Sequence, residues 1–538
     1  MRQRLWSVTL AGVVLALLLA ATGWAEAPAH PPEGTLTVAV DTFGNERWLP
    51  HLYVGAEDVV LKPMYENLLN RDPATGALIP MLAERWESLD GGLAWRFHLR
   101  QGVAFHDGQG ELTAEDVKFT FTAIMQEGSA NGLAPEFRLI KSMEVEDPYT
   151  ITLRFAKPFV TFDNRVSQGL FACTGFIHAK KYLESVGEEK AERHPVGTGP
   201  WKFVEHVRGD RIVFEAVQQH WRAVPHFKRL VFLKVPESAT RMAMLQAGSV
   251  DVIEIGGEYV AELQKAGVRT LTMPHVAWLW VILGGQWPDK PTYDPHVPWA
   301  QPDAERARKV RLALNLAVDK QAIMQQVLGG LGTVGGAAHF FPTEPWTTEA
   351  LAKPYAYDPA KAKALLAEAG YPKGFEVTMN LIPWPGRTFL PDVGEAVATY
   401  WEKVGIKVKR RPVDRAVFQA DFRARAYAGV TLAFAAGFIA PEPWERLIRI
   451  AHSKAAGTLL MEHPALDALL DRLAAEPNPE TRAQLMRDEL GPWLYEYVPA
   501  VSIGATHSIV GVGPRLGEWP LIPGHLGLHN WEYVTHGR

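Results

Sequence analysis

Four histidines near the C-terminus are the residues whose type best suits metal binding. They are His507, His525, His529 and His536. Imidazole nitrogens bind zinc when other His, Cys or Glu side chains complete the ligand set at regular spacing. The surrounding segment is rich in Gly and Pro and supplies no such set. The sequence therefore favours no metal site, and we expect no cofactor.

Three glycines, at 330, 332 and 335, match the spelling of a dinucleotide-binding fingerprint. That fingerprint follows a strand, whereas the residues before Gly330 are typical of a helix. The sequence Gly197-Thr198-Gly199-Pro200 is a poor phosphate cradle, because a strand and not a helix is predicted after it.

The zinc-protease His-Glu-x-x-His, Gly-x-Ser-x-Gly and Walker A patterns are absent from the sequence. We therefore expect no enzyme activity, although two carboxylates flanking a cleft would leave no signature. A secreted hydrolase acting on glycans or peptides is the alternative.

Composition indicates a large globular chain and excludes several classes of function. The 538 residues suffice for roughly two to four domains, with 47% hydrophobic and 21% charged residues. A net charge of −5 and the lack of a long basic run argue against nucleic acid as a partner. The sole cysteine, Cys173, excludes an internal disulfide. The 18 tryptophans are many, and they serve either as core residues or as flat faces for ligands.

The first 27 residues have the pattern of a cleaved signal peptide. Arg2 and Arg4 give a basic start, residues 8–21 are apolar, and small residues at 23, 25 and 27 fit a cleavage site. The apolar stretch is short for a membrane span. No cysteine lies near the cleavage site, so a lipid anchor is not expected. The pattern predicts an exported protein that is not a lipoprotein.

The stretch from Leu82 to Phe121 predicts two strands and a helix joined by tight turns. Residues 95–99 alternate apolar and polar side chains, as a half-buried strand does. Asp90-Gly91-Gly92 and Asp107-Gly108 are typical of turns, because Gly tolerates positive φ. Thr113 and the two acids that follow it are typical of a helix N-terminus. By itself this pattern predicts a packed domain that mixes strands and helices.

The same stretch closely resembles a motif of the extracellular solute-binding proteins of family 5, the dipeptide-, oligopeptide- and nickel-binding components of ABC importers. The matching residues are Trp86, Ser88, Asp90-Gly91, Phe97 to Arg100, Gly102-Val103, Phe105 to Gly108 and Leu112 to Val117. Other segments that resemble the family are Gly34 to Val40, Val196 to Phe203, Val310 to Asp319 and Asp358 to Gly370. In the last two, Asp319 and Asp358 are each predicted to cap the start of a helix. The resemblance covers nearly all of the chain from Gly34 onward.

The resemblance implies an α/β fold of two lobes, the type II periplasmic binding protein fold of the large cluster, with an extra domain inserted in the first lobe. The expected limits are 34–57, 195–295 and 506–538 for the first lobe, 58–194 for the inserted domain and 296–505 for the second lobe. A proline-rich segment from Pro288 to Pro302 marks the boundary between the lobes.

The function that the resemblance implies is capture of a solute in the periplasm. A peptide-like, sugar or other organic ligand would close the two lobes and pass unchanged to an inner-membrane permease with its ATPases. The partners expected are therefore a small-molecule or peptide ligand and that permease complex, and we expect a monomer. A receptor that signals to a membrane partner shares the fold and stays open as an interpretation.

Aromatic residues near the expected cleft are the candidate ligand-binding residues. In the family, the loop after the first strand reaches the ligand, and Trp278 and Trp280 lie on one face of a predicted strand. The full candidate set is Phe43, Trp278, Trp280, Trp384, Arg387, Phe438 and Trp444. Aromatic faces suit sugar rings, apolar groups or a cation, and an arginine suits a carboxylate or phosphate. Core packing is the alternative interpretation for each tryptophan.

One departure from the family bears on the ligand. In peptide-binding relatives, an Asp shortly before an Asp-Pro pairs with the α-ammonium of the peptide. Glu442-Pro443 stands for that Asp-Pro here, and residues 437–440 before it carry no carboxylate. A buried ammonium without a counter-charge is costly. The sequence therefore predicts that ordinary peptides are poor ligands, unless Glu442 replaces the missing acid.

Overall fold

The computed structural model describes most of the chain after the predicted signal peptide. The described residues are 31–53, 57–168, 175–256, 259–287, 293–300, 303–383, 389–423, 429–436, 442–454, 463–522 and 528–537. The predicted signal peptide at 1–27 and the sole cysteine lie outside these ranges. Within them, no helix combines the length and the apolar character that crossing a membrane would require.

Alternating and continuously apolar stretches form the strands. They are β1 Thr35–Val40, β2 Leu69–Arg71, β3 Leu78–Pro80, β4 Ala83–Leu89, β5 Ala94–Leu99, β6 Ile140–Asp147, β7 Thr150–Phe155, β8 Trp201–Val207, β9 Arg211–Ala216, β10 Arg229–Lys234, β11 Val252–Ile255, β12 Arg269–Ile282, β13 Gly332–Val334, β14 Glu376–Leu381, β15 Lys407–Pro412, β16 Val430–Ala436 and β17 Ala500–Val512. One 11-stranded sheet has the order β15-β14-β16-β12-β17-β11-β1-β10-β9-β8, with β13 paired to β17. Strands β4-β5-β7-β6 form a separate antiparallel sheet, and β2 pairs with β3.

The helices are largely amphipathic segments that cover these sheets. They are α1 Asp58–Leu61, α2 Ala114–Met125, α3 Ala134–Phe137, α4 Phe162–Arg165, α5 Lys180–Val186, α6 Glu188–Arg193, α7 Ser238–Gln246, α8 Val260–Lys265, α9 Ala304–Leu316, α10 Lys320–Gln326, α11 Glu349–Ala352, α12 Pro359–Glu368, α13 Leu390–Glu402, α14 Arg415–Arg423, α15 Pro443–Ile450, α16 Pro464–Ala475, α17 Pro479–Leu485 and α18 Gly491–Tyr497. A π-helical turn, Met486–Leu490, joins α17 to α18.

Capping residues mark the starts of three helices where the sequence predicts them. The Asp319 carboxylate accepts a hydrogen bond from the Ala322 N–H at 2.9 Å, and Asp358 caps α12 ahead of Pro359. Thr113 and Asp116 form a reciprocal capping box at the start of α2. These contacts satisfy N–H groups that have no partner inside a helix, so the predicted starts of these three helices are confirmed.

Strands β12 and β17 are the long elements of the large sheet. They pair antiparallel from Arg269 opposite Val512 to Ile282 opposite Ala500. Val510 and Val512 pack with β1 in one hydrophobic core, whereas Val501 and Ile503 pack with α9 and α13 in another. Each strand therefore passes from one core into the next. A third core lies under the separate sheet and contains Phe121, Phe137 and Phe162.

Two of the family-like motifs meet where the small sheet joins the large one. The Gly199 N–H donates to the Met64 carbonyl at 2.9 Å, and His106 lies 2.7 Å from the Gly199 carbonyl oxygen. A β-carbon on Gly197 would lie 2.0 Å from the Met64 carbonyl oxygen. Glycine is therefore required at 197 by the close approach of another backbone segment, and no phosphate is needed to explain the motif.

Glu66 anchors the same junction with a buried charge. It accepts hydrogen bonds from the Trp221 indole at 3.0 Å and from Arg222 Nε at 3.1 Å, and Arg222 also contacts Glu532 at 2.6 Å. Burial would raise the pKa of Glu66, but His220, Arg222 and their hydrogen bonds lower it to about 2. The ionised carboxylate therefore contributes to the free energy of unfolding above its ordinary pKa of 4.5.

Replacing Glu66 with Gln should lower the free energy of unfolding at neutral pH by about 3 kcal/mol, because Arg222 loses a buried counter-charge. The wild-type protein should lose this contribution as the pH falls from 4.5 towards 2, where Glu66 becomes protonated in the folded state as well. Urea unfolding of both proteins across that pH range measures the difference.

Glu205→Gln is the matched control, since Glu205 also pairs with an arginine but its side chain is 46% exposed. It should change the free energy of unfolding by less than about 1 kcal/mol. A Glu66→Gln difference that stays constant between pH 7 and pH 3 would contradict the assignment.

Candidate functional site

The candidate site lies where β12 leaves the first core. Side chains on a strand alternate between its two faces, and Leu279 and Val281 pack in the core that contains α9 and α13. Trp278, Trp280 and Ile282 point to the opposite face and join a different cluster. The predicted common face of the two tryptophans is therefore confirmed.

We call this cluster the junction. Its members include Val160, Trp278, Trp280, Phe341 and Trp444. They come from the segment before α4, from β12, from the loop before α11 and from α15. The junction is thus the place where residues 58–194, which we call the inserted segment, meet the helices of the C-terminal half.

Trp278 is held on several sides by the protein. Its indole N–H donates to Ser502 Oγ at 3.2 Å, and its ring meets the Phe341 ring edge-on at 5.5 Å. A β-carbon on Gly335 would lie 2.1 Å from the Trp278 ring. Gly335, the last glycine of the pattern that matches a dinucleotide-binding fingerprint, is therefore explained by its packing against Trp278.

Trp280 is equally buried but is not paired in the same way. Its indole nitrogen has no hydrogen-bond partner among the described residues, although its side chain is 0% exposed. The ring of His339 stands perpendicular to it with centroids 4.3 Å apart. A buried N–H without a partner costs about 1–3 kcal/mol, so a group from outside the chain would gain free energy by accepting from it.

His339 is the second buried group of this kind. Neither of its ring nitrogens has a partner within the described ranges, and burial, with the nearby Arg446, holds its pKa well below its ordinary value. The imidazole is therefore neutral and offers one donor and one acceptor. Its backbone φ is +69°, a left-handed conformation that is uncommon for a residue other than glycine.

An ion pair fixes the backbone of His339. Arg446 Nη2 donates to the His339 carbonyl oxygen at 2.5 Å and to Glu344 at 3.0 Å. Burial raises the pKa of Glu344, while Arg446 acts in the opposite direction. The positive charge of Arg446 is thus balanced by Glu344, and the pair holds the His339 side chain beside Trp280.

The other sequence candidates divide into three groups. The Trp444 indole N–H donates to Glu442 Oε2 at 2.6 Å, so Trp444 lies in the junction with its polar atom paired. Phe43 is 0% exposed and packs in the first core with β1, away from the junction cluster. Trp384, Arg387 and Phe438 lie outside the described residues.

Glu442, which the sequence left open as a substitute for the missing acid, is already neutralised. Its carboxylate accepts from Arg482 Nη2 at 2.8 Å and from Arg482 Nε at 3.0 Å, a two-pronged pair. It also caps α15 in a reciprocal capping box with Glu445. An incoming ammonium would therefore have to compete with Arg482 for this carboxylate.

Glu445 connects α15 to the inserted segment. It accepts from Arg165 Nη2 at 3.1 Å and from the Thr161 hydroxyl, and Arg165 in turn pairs with Glu136. Arg449 of α15 pairs with the same Glu136. Burial raises the pKa of Glu445 against the effect of Arg165, whereas for Glu136 the two arginines outweigh burial and lower the pKa.

Sequence analysis missed His339 and the charges that cross to the inserted segment. Glu445 follows Glu442 at capping-box spacing, but the usual first residue of that pattern is Ser, Thr, Asp or Asn. Nothing in the sequence pairs Glu445 with Arg165, because 280 positions separate the two residues. His339 has no motif around it, and its importance comes only from its burial.

The described residues contain no group of three or more His, Cys, Asp or Glu side chains arranged to hold a metal ion. His529 accepts from the Ile522 N–H at 2.7 Å, His507 accepts from the His275 N–H at 3.0 Å, and His536 lies against the His226 carbonyl. His525 lies outside the described residues. The three described histidines from the sequence set are thus engaged in separate structural contacts.

A surface groove of about 570 Å³ lies elsewhere in the molecule. Its lining includes Asp107, Thr198, Lys202, His220 and Trp221, and none of the junction residues. These positions belong to the motifs that dock the small sheet on the large one. The groove therefore follows from that packing and adds no group to the junction.

Comparison with known proteins gives consistent matches over most of the chain. Residues 77–457 match the family described as bacterial extracellular solute-binding proteins, family 5 Middle. A heme-binding protein A of Haemophilus influenzae is 32% identical over 481 residues, 84% of this chain and 83% of that protein. A dipeptide-binding protein of Escherichia coli is 28% identical over 389 residues, 68% of this chain and 69% of that protein.

The fold matches solved structures of the same kind. The structure of HbpA2 from Haemophilus parasuis superposes with a TM-score of 0.76 at 25% identity, and the match covers 94% of this chain and 100% of that one. The structure of a DppA periplasmic binding protein from Helicobacter pylori in complex with a peptide superposes with a TM-score of 0.73 at 22% identity, over 94% and 99% of the two chains. The chain thus has the two-lobed α/β fold that the sequence predicts.

The two tryptophans of β12 should differ in what they contribute to stability. Trp278→Phe removes a satisfied hydrogen bond, whereas Trp280→Phe removes an N–H that has no partner in the described chain. Because both changes remove a similar volume, the hydrogen-bonding difference should make Trp278→Phe the more destabilising by about 1–3 kcal/mol. Urea unfolding of protein refolded free of ligand measures this difference, and equal losses would contradict it.

Proposed function

The chain belongs to family 5 of the bacterial extracellular solute-binding proteins, and on that premise we propose which groups hold its solute and which solutes it excludes. Proteins of this kind are the substrate-binding components of ABC importers, and this chain is one of them. Its fold has the two lobes between which such a solute binds. The hydrolase interpretation has no support from the family, whose members are binding proteins.

The single observation that carries the proposal is the pair of buried side chains, Trp280 and His339, whose nitrogens have no partner in the described residues. Trp280 lies in the junction, where the inserted segment, β12 and α15 converge, and the His339 ring stands against it. A ligand oxygen that accepts from the Trp280 N–H and from the N–H of the neutral His339 would satisfy both donors at once. A ligand that contacts both groups would favour the arrangement in which these elements meet, and we take that arrangement as the closed form.

The class of solute follows from the charges around the junction. Glu442 is paired with Arg482 and Glu344 with Arg446, so neither carboxylate is left for a ligand ammonium. Residues 437–440 contain no acid in the sequence. We therefore assign an organic solute that has an apolar body and carbonyl or carboxylate oxygens, without a free amino terminus as its anchor. The predicted Arg387 would suit such an oxygen.

The division into lobes also stays part of the proposal. Leu279 and Val281 pack in the core of the C-terminal half, as do Val501 and Ile503 of β17. This packing supports a hinge inside β12, before residue 278, instead of the proline-rich segment that ends at Pro302. In β17 it supports a hinge close to the predicted limit between residues 505 and 506.

The cellular setting is proposed on the same basis. Export by the predicted signal peptide at 1–27, cleaved and without lipid attachment, would leave a monomer in the periplasm. It would deliver the solute to an inner-membrane permease driven by its ATPases. Pull-down with membrane extracts separates this role from that of a receptor, because a transporter permease and not a signalling protein should be recovered.

Native mass spectrometry of gently purified protein should reveal a copurified organic molecule. The molecule should be lost or reduced at least about tenfold in Trp280→Phe and in His339→Ala, because each variant loses a polar anchor. Trp401→Phe is the matched control, since Trp401 is also 0% exposed but donates to the Leu314 carbonyl at 3.1 Å inside the core of the C-terminal half.

Retention of the same molecule in both anchor variants would contradict the proposed anchors. The released molecule should also have the same mass before and after prolonged incubation with the protein. A product of different mass would support the hydrolase alternative.

Peptides with a free amino terminus should bind poorly. Isothermal calorimetry with di- to pentapeptides and their N-acetylated forms should show no micromolar binding that depends on the free ammonium, because Arg482 already occupies Glu442. Micromolar binding that is lost on acetylation would overturn this assignment. Arg482→Met is the informative variant, since it would expose Glu442 and should increase any such dependence.

A further inference from the structure

The charges that join the inserted segment to α15 form an alternating chain. Arg449 pairs with Glu136, Glu136 with Arg165, and Arg165 with Glu445. The Arg165 side chain is 4% exposed and that of Glu445 is 1% exposed, so both charges lie out of water. Buried charges are retained only when each has a partner.

The paired residues come from two parts of the fold that are far apart in the sequence. Glu136 and Arg165 lie next to Phe137 and Val166 of the third core, beneath the small sheet. Glu445 lies between Trp444 and Leu447, which pack in the junction with α16. Any movement that separates the inserted segment from α15 must therefore break the contacts of Glu445 with Arg165 and Thr161, and of Arg449 with Glu136.

Arg165 is the arginine of this chain that pairs directly with two carboxylates, those of Glu136 and Glu445. Without it, Glu445 would keep only neutral donors, the Thr161 hydroxyl and the Glu442 N–H, and would lie beside the Glu442 carboxylate, whose charge is taken by Arg482. Glu136 would keep Arg449, whose side chain is 32% exposed. Asp163 and Arg71 also face this region, and burial raises the pKa of Asp163 to about 6. Glu445 would thus be the buried charge that loses its counter-ion.

We propose that Arg165 of the inserted segment is the counter-ion on which the closed form depends, so that this residue sets the closed-to-open ratio. The pair need not stabilise the closed form strongly by itself, because burying two charges offsets much of their attraction. The pair makes closure depend on Arg165. Without Arg165, the closed form would bury the unpaired charge of Glu445, which water would solvate in the open form. The proposal rests on lobe closure but not on the identity of the solute.

Distances between spin labels in ligand-free protein test this. Spin labels are attached at two exposed positions, Glu115→Cys in α2 and Lys363→Cys in α12, and Cys173 is replaced by Ser so that it is not labelled. The distance between the labels reports the separation of the inserted segment from the C-terminal half. The otherwise unchanged protein should show a short-distance population. Arg165→Gln should lower its ratio to the long-distance population by about tenfold or more. Glu445→Gln should have a smaller effect, because it removes the buried charge itself while Arg165 keeps Glu136.

Arg472→Gln is the matched control, since Arg472 pairs with Glu489 and both belong to the same helical region of the C-terminal half. It should leave the distances unchanged. Circular dichroism verifies that each variant folds. If Arg165→Gln does not fold, Thr161→Val tests the contact of the inserted segment with Glu445. It should also lower the ratio of short to long distances. Unchanged distances in the folded variants, or no short-distance population in the parent, would overturn the proposal. Because no solute is present, this outcome is independent of the mass-spectrometric test of the anchors.

Discussion

The continuous pairing of β12 with β17 is the constraint on which the rest of the structure depends. These strands exchange backbone hydrogen bonds from one hydrophobic core to the next, so they join the two halves of the large sheet. The register shifts between Met273 and Ala277 and again between Leu279 and Trp280. His275 has a φ of +56° inside the first irregularity, and Gly504 has a φ of +142° beside the second. Irregularities of this kind bend strands, and here they lie where the strands change cores.

The composition of the junction follows from the change of core along β12. One face of β12 continues the apolar packing of the C-terminal half, while the other presents Trp278 and Trp280 to the helices and to the inserted segment. The two tryptophans are equally buried, and hydrogen bonding distinguishes them. Trp278 is completed by Ser502, whereas Trp280 and His339 need partners that the described chain does not provide. Packing alone therefore does not separate a structural tryptophan from a candidate for ligand recognition.

In the proposed function, electrostatic pairing limits which ligands the junction accepts. Glu442, Glu344 and Glu445 would each attract a cationic ligand if they were alone, but arginines at 482, 446 and 165 neutralise them. The carboxylates thereby act as structural groups that fix α15, the loop before α11 and the inserted segment. A separate pair, Glu445 with Arg165, connects the inserted segment to the C-terminal half. Under the two proposals, selectivity and closure would thus depend on neighbouring buried ion pairs.

Local chemistry was sufficient for much of the fold. The sequence by itself determined the helix starts at Thr113, Asp319 and Asp358, the common face of Trp278 and Trp280, and the family, because caps, alternation and turn glycines act over a few residues. Only the tertiary structure decided that Gly197 meets the backbone at Met64, that Glu442 is occupied by Arg482, and that Arg165 neutralises Glu445. Those contacts join residues from 40 to 280 positions apart. Burial and charge pairing at such separations depend on how the sheets and helices pack, for which no local pattern exists.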